Sequence, residues 1–136
     1  MKTGTLALKS GLMLLAVMGA AWWSGTTAMA APFSATCVLL ALLPASPFSS
    51  PRTVLLAHVL CLAAGALGMA LPVAPLAAAL VAAWLALMAM STLRAVHAPA
   101  VAHTVILSLG AQHGAIYLAS ALFVASAFAL MAWLEA

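Results

Sequence analysis

Between Lys9 and Glu135 the chain carries only two charged side chains, Arg52 and Arg94. They interrupt a length of hydrocarbon that no water-soluble fold can hide. Soluble domains draw about a quarter of their residues from Asp, Glu, Lys and Arg; here charged residues are 4% and hydrophobic ones 68% of 136 residues. A polar coat cannot be assembled from that supply, so the chain must use lipid as its solvent and satisfy its backbone in helices. The formal charge of +3 comes from four Lys and Arg against one acidic residue. It bears on topology rather than on nucleic acid or other acidic partners.

Catalysis lacks its parts. Glu135 is the only carboxylate side chain, so neither an acid–base pair nor a carboxylate metal cage can be built. GxSxG, HExxH and P-loop patterns are absent. Cys37 and Cys61 sit in apolar runs with no CxxC or Cys/His ligand spacing, and read as small buried hydrophobes. No enzyme activity, cofactor or resident metal is expected.

Residues 1–30 admit two readings. Lys2 and Lys9 before Leu12–Trp23, with Ala28-Met29-Ala30 ahead of Ala31, fit a secretory signal. The same residues fit an uncleaved first span over about 10–28, with Trp22 and Trp23 as interface anchors. Pro32 to Pro44 is too short for a roughly 30 Å hydrocarbon core at about 1.5 Å per residue, and is expected to be a half-helix started by Pro32. Residues 46–52 form a turn-rich loop. Spans are expected over 53–71, 74–92 and 115–134. Ala64 and Gly68 in the second span match the small-xxx-small pattern of close helix contacts. Between the last two spans lies a second short segment, Ala95 to Gly110, containing His97, Pro99 and His103.

A shift of 67 residues aligns 28–42 with 95–109, with seven identities in fifteen positions, including Pro32 with Pro99. The expected architecture is therefore all-α transmembrane, one domain over 1–136, with four full spans and two Pro-started half-helices. Repeat 1 covers about 7–71 and repeat 2 about 74–134. Three crossings per half would invert the second half relative to the first, and the repeat favours an uncleaved first span. Six crossings put Lys2, Lys9, Arg52 and Arg94 on one side, which makes the N-terminus cytoplasmic in an inner (plasma) membrane protein. If both half-helices are re-entrant, four segments cross and the two arginines fall outside.

Inverted half-helices would bring the starts at Pro32 and Pro99 together near the midplane. Each start offers free N–H groups and about half a positive charge, a setting for a small anion. Ser34, Thr36, His97, His103 and Thr104 can donate hydrogen bonds there, and His58 lies on the following span. Each has a plainer reading: a backbone-bonded helix-start residue for His97, an interhelical bond for His58, a bond to its own helix for Ser34 or Thr36. Ionisable groups inside spans are expensive and usually have a task. Arg52 and Arg94 read as topology anchors that also draw anions to an entrance. His113 reads as a solvated turn residue, and Met88 and Met90 as packing.

The stretches PFSATCVLLALLPASP, SPFSSPRTVLLAHVL and HAPAVAHT resemble, in order over about residues 30 to 110, the HPP family of small integral membrane proteins. HAPA at 97–100 falls where that family's His-Pro-Pro motif stands, and His58 matches a histidine on the following helix. Ala98, Val101, His103 and Ser34 depart from the family pattern, replacing proline, glycine, threonine and glycine. The resemblance implies a multi-spanning protein, and some members are linked to nitrite transport. The leading expectation is thus a small-anion transporter or channel, nitrite first. Its rivals are a proton or metal path through His58, His97 and His103, and a non-transporting structural or holin-like protein. Partners beyond the lipid bilayer and the anion reduce to a homo-oligomer, since so small a chain has little room to enclose a pore.

Overall fold

Proline and glycine mark where these helices start and stop. The computed structural model describes residues 3–110 and 114–134, with side chains from Ala7 onward. The expectations that involve Lys2, His113 and Glu135 lie outside the described residues. Six α-helices follow in order: α1 (Thr3–Ser24), α2 (Ala30–Leu42), α3 (Pro51–Ala70), α4 (Pro75–Thr92), α5 (Val101–Ser108) and α6 (Gly114–Leu134). Single 3-10 turns at Thr27–Met29, Pro47–Ser49 and Ala98–Ala100 precede α2, α3 and α5.

Pro51 and Pro75 open α3 and α4, where a missing N–H is no loss. Ser50 caps α3 by accepting a bond from the Thr53 N–H at 3.3 Å. α1 closes with the Thr26 N–H on the Ala21 carbonyl at 3.1 Å and Gly25 at φ 67°, a left-handed cap that glycine adopts freely. α4 closes the same way, Ala95 N–H to Met90 carbonyl at 2.9 Å, but its left-handed residue is Arg94 at φ 52°.

Four of the helices, α1, α3, α4 and α6, hold apolar stretches of 18 to 21 residues, long enough to cross a membrane. Two shorter apolar helical stretches, Thr27–Leu42 and Ala98–Ser108, complete the set. Apolar residues cover all sides of the long helices, as lipid-facing surfaces require: Trp22, Trp23 and Phe123 are 89%, 83% and 74% exposed. α3 is the central element and packs on α4, α5 and α6, while α1 packs on α2 and α6.

The α3–α5 contact depends on missing side chains. A Cβ added at Gly65 would lie 2.9 Å from Leu107 Cβ and 3.1 Å from Thr104 Cα. One added at Gly68 would meet Ser108. Close approach lets the Thr104 hydroxyl donate to the Cys61 carbonyl at 2.9 Å. Gly65 and Gly68 serve the contact with α5, while the expected pair, Ala64 with Gly68, faces α4: Ala64 packs with Ala86 and Met90, and a Cβ at Gly68 would lie 3.1 Å from Ala82 Cβ.

Contacts define two ends of the bundle. At one, Lys9 Nζ donates to the Leu40 carbonyl at 3.1 Å, the Ser49 hydroxyl to the Leu39 carbonyl at 3.3 Å, and Arg52 Nη2 to the Leu93 carbonyl at 3.3 Å. At the other, residues Gly25 to Ala28 share a cleft with Ile106, Leu109 and Gly110. α2 thus runs from the second end to the first, and α5 runs the opposite way.

Two expectations about the short helices need correction. The first does not begin at Pro32. Helical structure starts at Thr27, and Pro32 is the third residue of α2, where its absent N–H is still unneeded. The starts of the short helices also depart from the 67-residue shift, which would carry the turn at Thr27 onto Arg94, whereas the second turn begins at Ala98; the same shift carries the end of α2 at Leu42 to within a residue of the end of α5 at Ser108.

Candidate functional site

The interior polar groups converge on one aromatic ring. Phe33, fully buried on α2, stacks on the His58 imidazole with centroids 5.1 Å apart and planes 1° from parallel. His103 from α5 lies against the same phenyl ring at 4.7 Å, and Phe128 from α6 meets it edge-on at 5.7 Å. His58 is the middle of three histidines: its ring centroid is 5.2 Å from that of His97 and 5.2 Å from that of His103. All three are fully buried.

Their hydrogen bonds fix much of the proton placement. His97 Nδ1 lies 2.8 Å from the Phe48 carbonyl, and His58 Nδ1 lies 2.8 Å from the Val54 carbonyl of its own helix. A carbonyl only accepts, so both Nδ1 atoms carry a hydrogen. In the neutral ring each Nε2 is then a bare acceptor. His97 Nε2 has a partner, the Thr36 hydroxyl at 3.0 Å. That hydroxyl is also 3.0 Å from the Pro32 carbonyl, one turn back along α2. His103 Nδ1 meets the Tyr117 hydroxyl at 2.7 Å, a contact that works with either group donating.

Two ring nitrogens are left over. His58 Nε2 and His103 Nε2 are buried without a hydrogen-bond partner. Such an atom costs about 1–3 kcal/mol relative to a satisfied one. Ser120 Oγ is in the same condition, but it borders a groove between α1 and α6 with Gly19, Trp23 and Phe123, and a hydroxyl can rotate onto its own helix. A ring pinned at Nδ1 has no such freedom.

The expected site residues separate into two groups. Thr36, His58, His97 and His103 come together, with Pro32 supplying a carbonyl. Thr104 is spent on the Cys61 carbonyl and so ties α5 to α3. Pro99 lies in the turn that leads into α5, and Ser34 is half-buried on α2. Arg52 and Arg94 are exposed at the bundle end. The opposed helix starts do not form the expected pair. The α2 start at Thr27 and Ala28 lines the cleft at the far end, whereas His97, at the start of the second short helix, meets Thr36 well inside α2.

Phe33, Tyr117 and the Phe48 carbonyl were not foreseen. Tyr117 had a signal: it is the only tyrosine, and a buried phenol needs a partner. Phe33 had none, since phenylalanine is unremarkable in an apolar helix. Among the described residues no group of three or more His, Cys, Asp or Glu is arranged to hold a metal ion. The hydrogen bonds give the reason: with His97 engaged at both nitrogens, two imidazole atoms remain, where transition metals take three or four protein ligands.

Two surface clefts lie at opposite ends of the bundle. One, of about 450 Å³, is bordered by Leu40, Pro44, Ser46, Pro47 and Ser49, the loop whose Phe48 carbonyl holds His97. The other, of about 370 Å³, is bordered by Thr26, Thr27 and the end of α5. The cluster lies closed off from water between them.

A family model described as HPP, transmembrane region, matches residues 3–135. No curated protein and no solved structure matches the chain.

Proposed function

The chain belongs to the HPP transmembrane family, and from that premise we propose that it carries a small anion across the bilayer, past His58, His97 and His103 between α2 and α5. The observation that carries this reading is the pair of fully buried, unpartnered nitrogens, His58 Nε2 and His103 Nε2. Unpaired polar atoms in a lipid-embedded core are costly and are kept for a polar guest. The clefts at either end supply two approaches to the same occluded cluster. Nitrite is the first candidate because it is the anion linked to members that this sequence resembles.

Six crossings, with the N-terminus cytoplasmic in a plasma membrane, fit this reading. Lys9, Arg52 and the Leu93–Arg94 turn lie at one end of the bundle, in accord with the positive-inside rule. The opposite directions of α2 and α5 suit halves of inverted orientation. Backbone dipoles at paired helix starts drop out of the binding scheme, and the histidines take their place.

Uptake of nitrite, nitrate, formate and chloride into vesicles holding the purified protein tests the proposal. Nitrite uptake above protein-free vesicles, reduced at least tenfold by His58→Ala and His103→Ala, is the expected result. Absence of flux for all four anions refutes transport. Flux untouched by either substitution refutes the site.

A further inference from the structure

His97 and Thr36 form a unit with a property that neither has alone. The Phe48 carbonyl holds the His97 Nδ1 hydrogen in place at 2.8 Å. The other side of the ring faces a hydroxyl with two acceptors in reach, His97 Nε2 and the Pro32 carbonyl, each at 3.0 Å. When the imidazole is neutral, the Thr36 O–H donates to Nε2. When the ring gains a proton, Nε2–H donates to Thr36 Oγ, and the threonine hydrogen swings to the Pro32 carbonyl. Each state keeps every imidazole nitrogen bonded, and the change needs only a hydroxyl rotation. An ordinary buried histidine bonded to two carbonyls, or to none, lacks this second state.

The rest of the cluster gives that switch a use. With its Nδ1 hydrogen donated to Val54, neutral His58 turns a lone pair, not a donor, toward the interior. A lone pair repels a bare anion and bonds one only when a proton comes with it. The titratable groups around His97 are the His58 ring from α3, then His103 from α5 and Tyr117 from α6; Cys37 and Cys61 are buried on the neighbouring α2 and α3. None of these is a carboxylate, and among the described residues there is none. Lys9, Arg52 and Arg94 lie at the bundle end, Lys9 and Arg52 on backbone carbonyls. Among the described residues, the positive charge that this core itself can set beside an anion is therefore a proton added to an imidazole.

We infer that the protein moves its anion together with a proton, His97 holding the proton and the Thr36 hydroxyl serving as the two-position partner that lets the ring switch between neutral and protonated forms. One proton and one monovalent anion enter, no bond other than N–H is made or broken, and no net charge crosses. An imidazolium next to an anion also avoids the cost of burying either charge alone. This rests on the anion-transport reading and deepens it. Thr36 is a positioning residue, acting through His97.

The test uses the full chain in vesicles loaded with a pH dye, with the membrane potential clamped by potassium and an ionophore and nitrite applied outside. Protein-free vesicles give the leak of the undissociated acid, which is subtracted. The expected result is one proton entering per nitrite, a rate independent of the clamped potential, and a rate that rises as the outside pH falls. Thr36→Val should lower the rate at least tenfold and flatten its pH profile, and Thr36→Ser, which keeps a hydroxyl, should restore both. Nitrite uptake that follows the potential and brings no proton overturns the coupling while leaving anion transport intact. A Thr36→Val protein with the wild-type pH profile overturns the role of the hydroxyl. Failure of all protein-dependent nitrite uptake overturns the transport reading itself.

Discussion

Gly65→Ala adds one methyl group at the tightest contact between α3 and α5. The new Cβ would stand 2.9 Å from Leu107 Cβ, 3.0 Å from Leu107 Cδ1 and 3.1 Å from Thr104 Cα, whereas ordinary contact begins at 3.4 Å. The Leu107 Cδ1 atom can turn away. The Leu107 Cβ and the Thr104 Cα cannot, because they belong to the α5 backbone and its first side-chain atoms. α5 must retreat by about half an ångström, a shift of the kind that overpacking charges at about 1–3 kcal/mol. Alanine recovers about 1 kcal/mol of helix propensity, so the net loss reaches up to about 2 kcal/mol. The same retreat strains the bond from Thr104 to the Cys61 carbonyl, now 2.9 Å, and displaces His103, its neighbour in sequence, from Tyr117. Gly19→Ala is the matched control, because a Cβ there has nothing within 4 Å. Thermal unfolding of the detergent-solubilised protein should show Gly65→Ala melting several degrees below wild type and Gly19→Ala melting no lower than wild type. A Gly65→Ala protein as stable as the Gly19→Ala control would falsify the argument that missing side chains set the α3–α5 distance.

Other perturbations follow from the same contacts. Tyr117→Phe removes the partner of His103 Nδ1 and should cost about 1–2 kcal/mol by leaving a buried ring nitrogen unpaired, seen as a lower melting temperature that His103→Phe in the same background partly restores. Arg94→Gly relieves a left-handed arginine at φ 52° and should stabilise by about 1 kcal/mol; a lower melting temperature instead would mean that the Arg94 side chain contributes more than its backbone strain takes away. A reporter active only outside the cytoplasm, fused after Phe48, should stay silent, and one fused after Gly110 should be active, because those positions lie at opposite ends of the bundle; activity after Phe48 would sink the six-crossing topology.

Local information made the helices legible. The run lengths between Pro44, Pro51, Pro75 and Gly110 depend on where the backbone can turn, and those residues impose that by their own geometry. The sequence therefore located α3, α4 and α6 to within about two residues, and it also picked out the two short helices. It misplaced the start of α2, since Pro32 is tolerated anywhere in a first turn and the 3-10 turn at Thr27 carries no proline to announce it. Four of the residues singled out for the interior, Thr36, His58, His97 and His103, do converge, because a titratable or hydroxyl side chain in hydrocarbon has few places to go.

What the chain by itself determined is a membrane protein with these helices and these few polar groups, since charge scarcity and run length are properties of the sequence alone. Only the tertiary structure decided which atoms meet. In an amphipathic helix the polar face says which side is buried; these helices are apolar on every side, so no stripe distinguishes inside from outside. The pairing of His97 with Thr36 and the Phe48 carbonyl, and of His103 with Tyr117, depends on interhelical distances that Gly65 and Gly68 set by what they lack. Phe33 became the centre of the site because packing placed three helices around it, not because of any property of phenylalanine that could be seen along the chain.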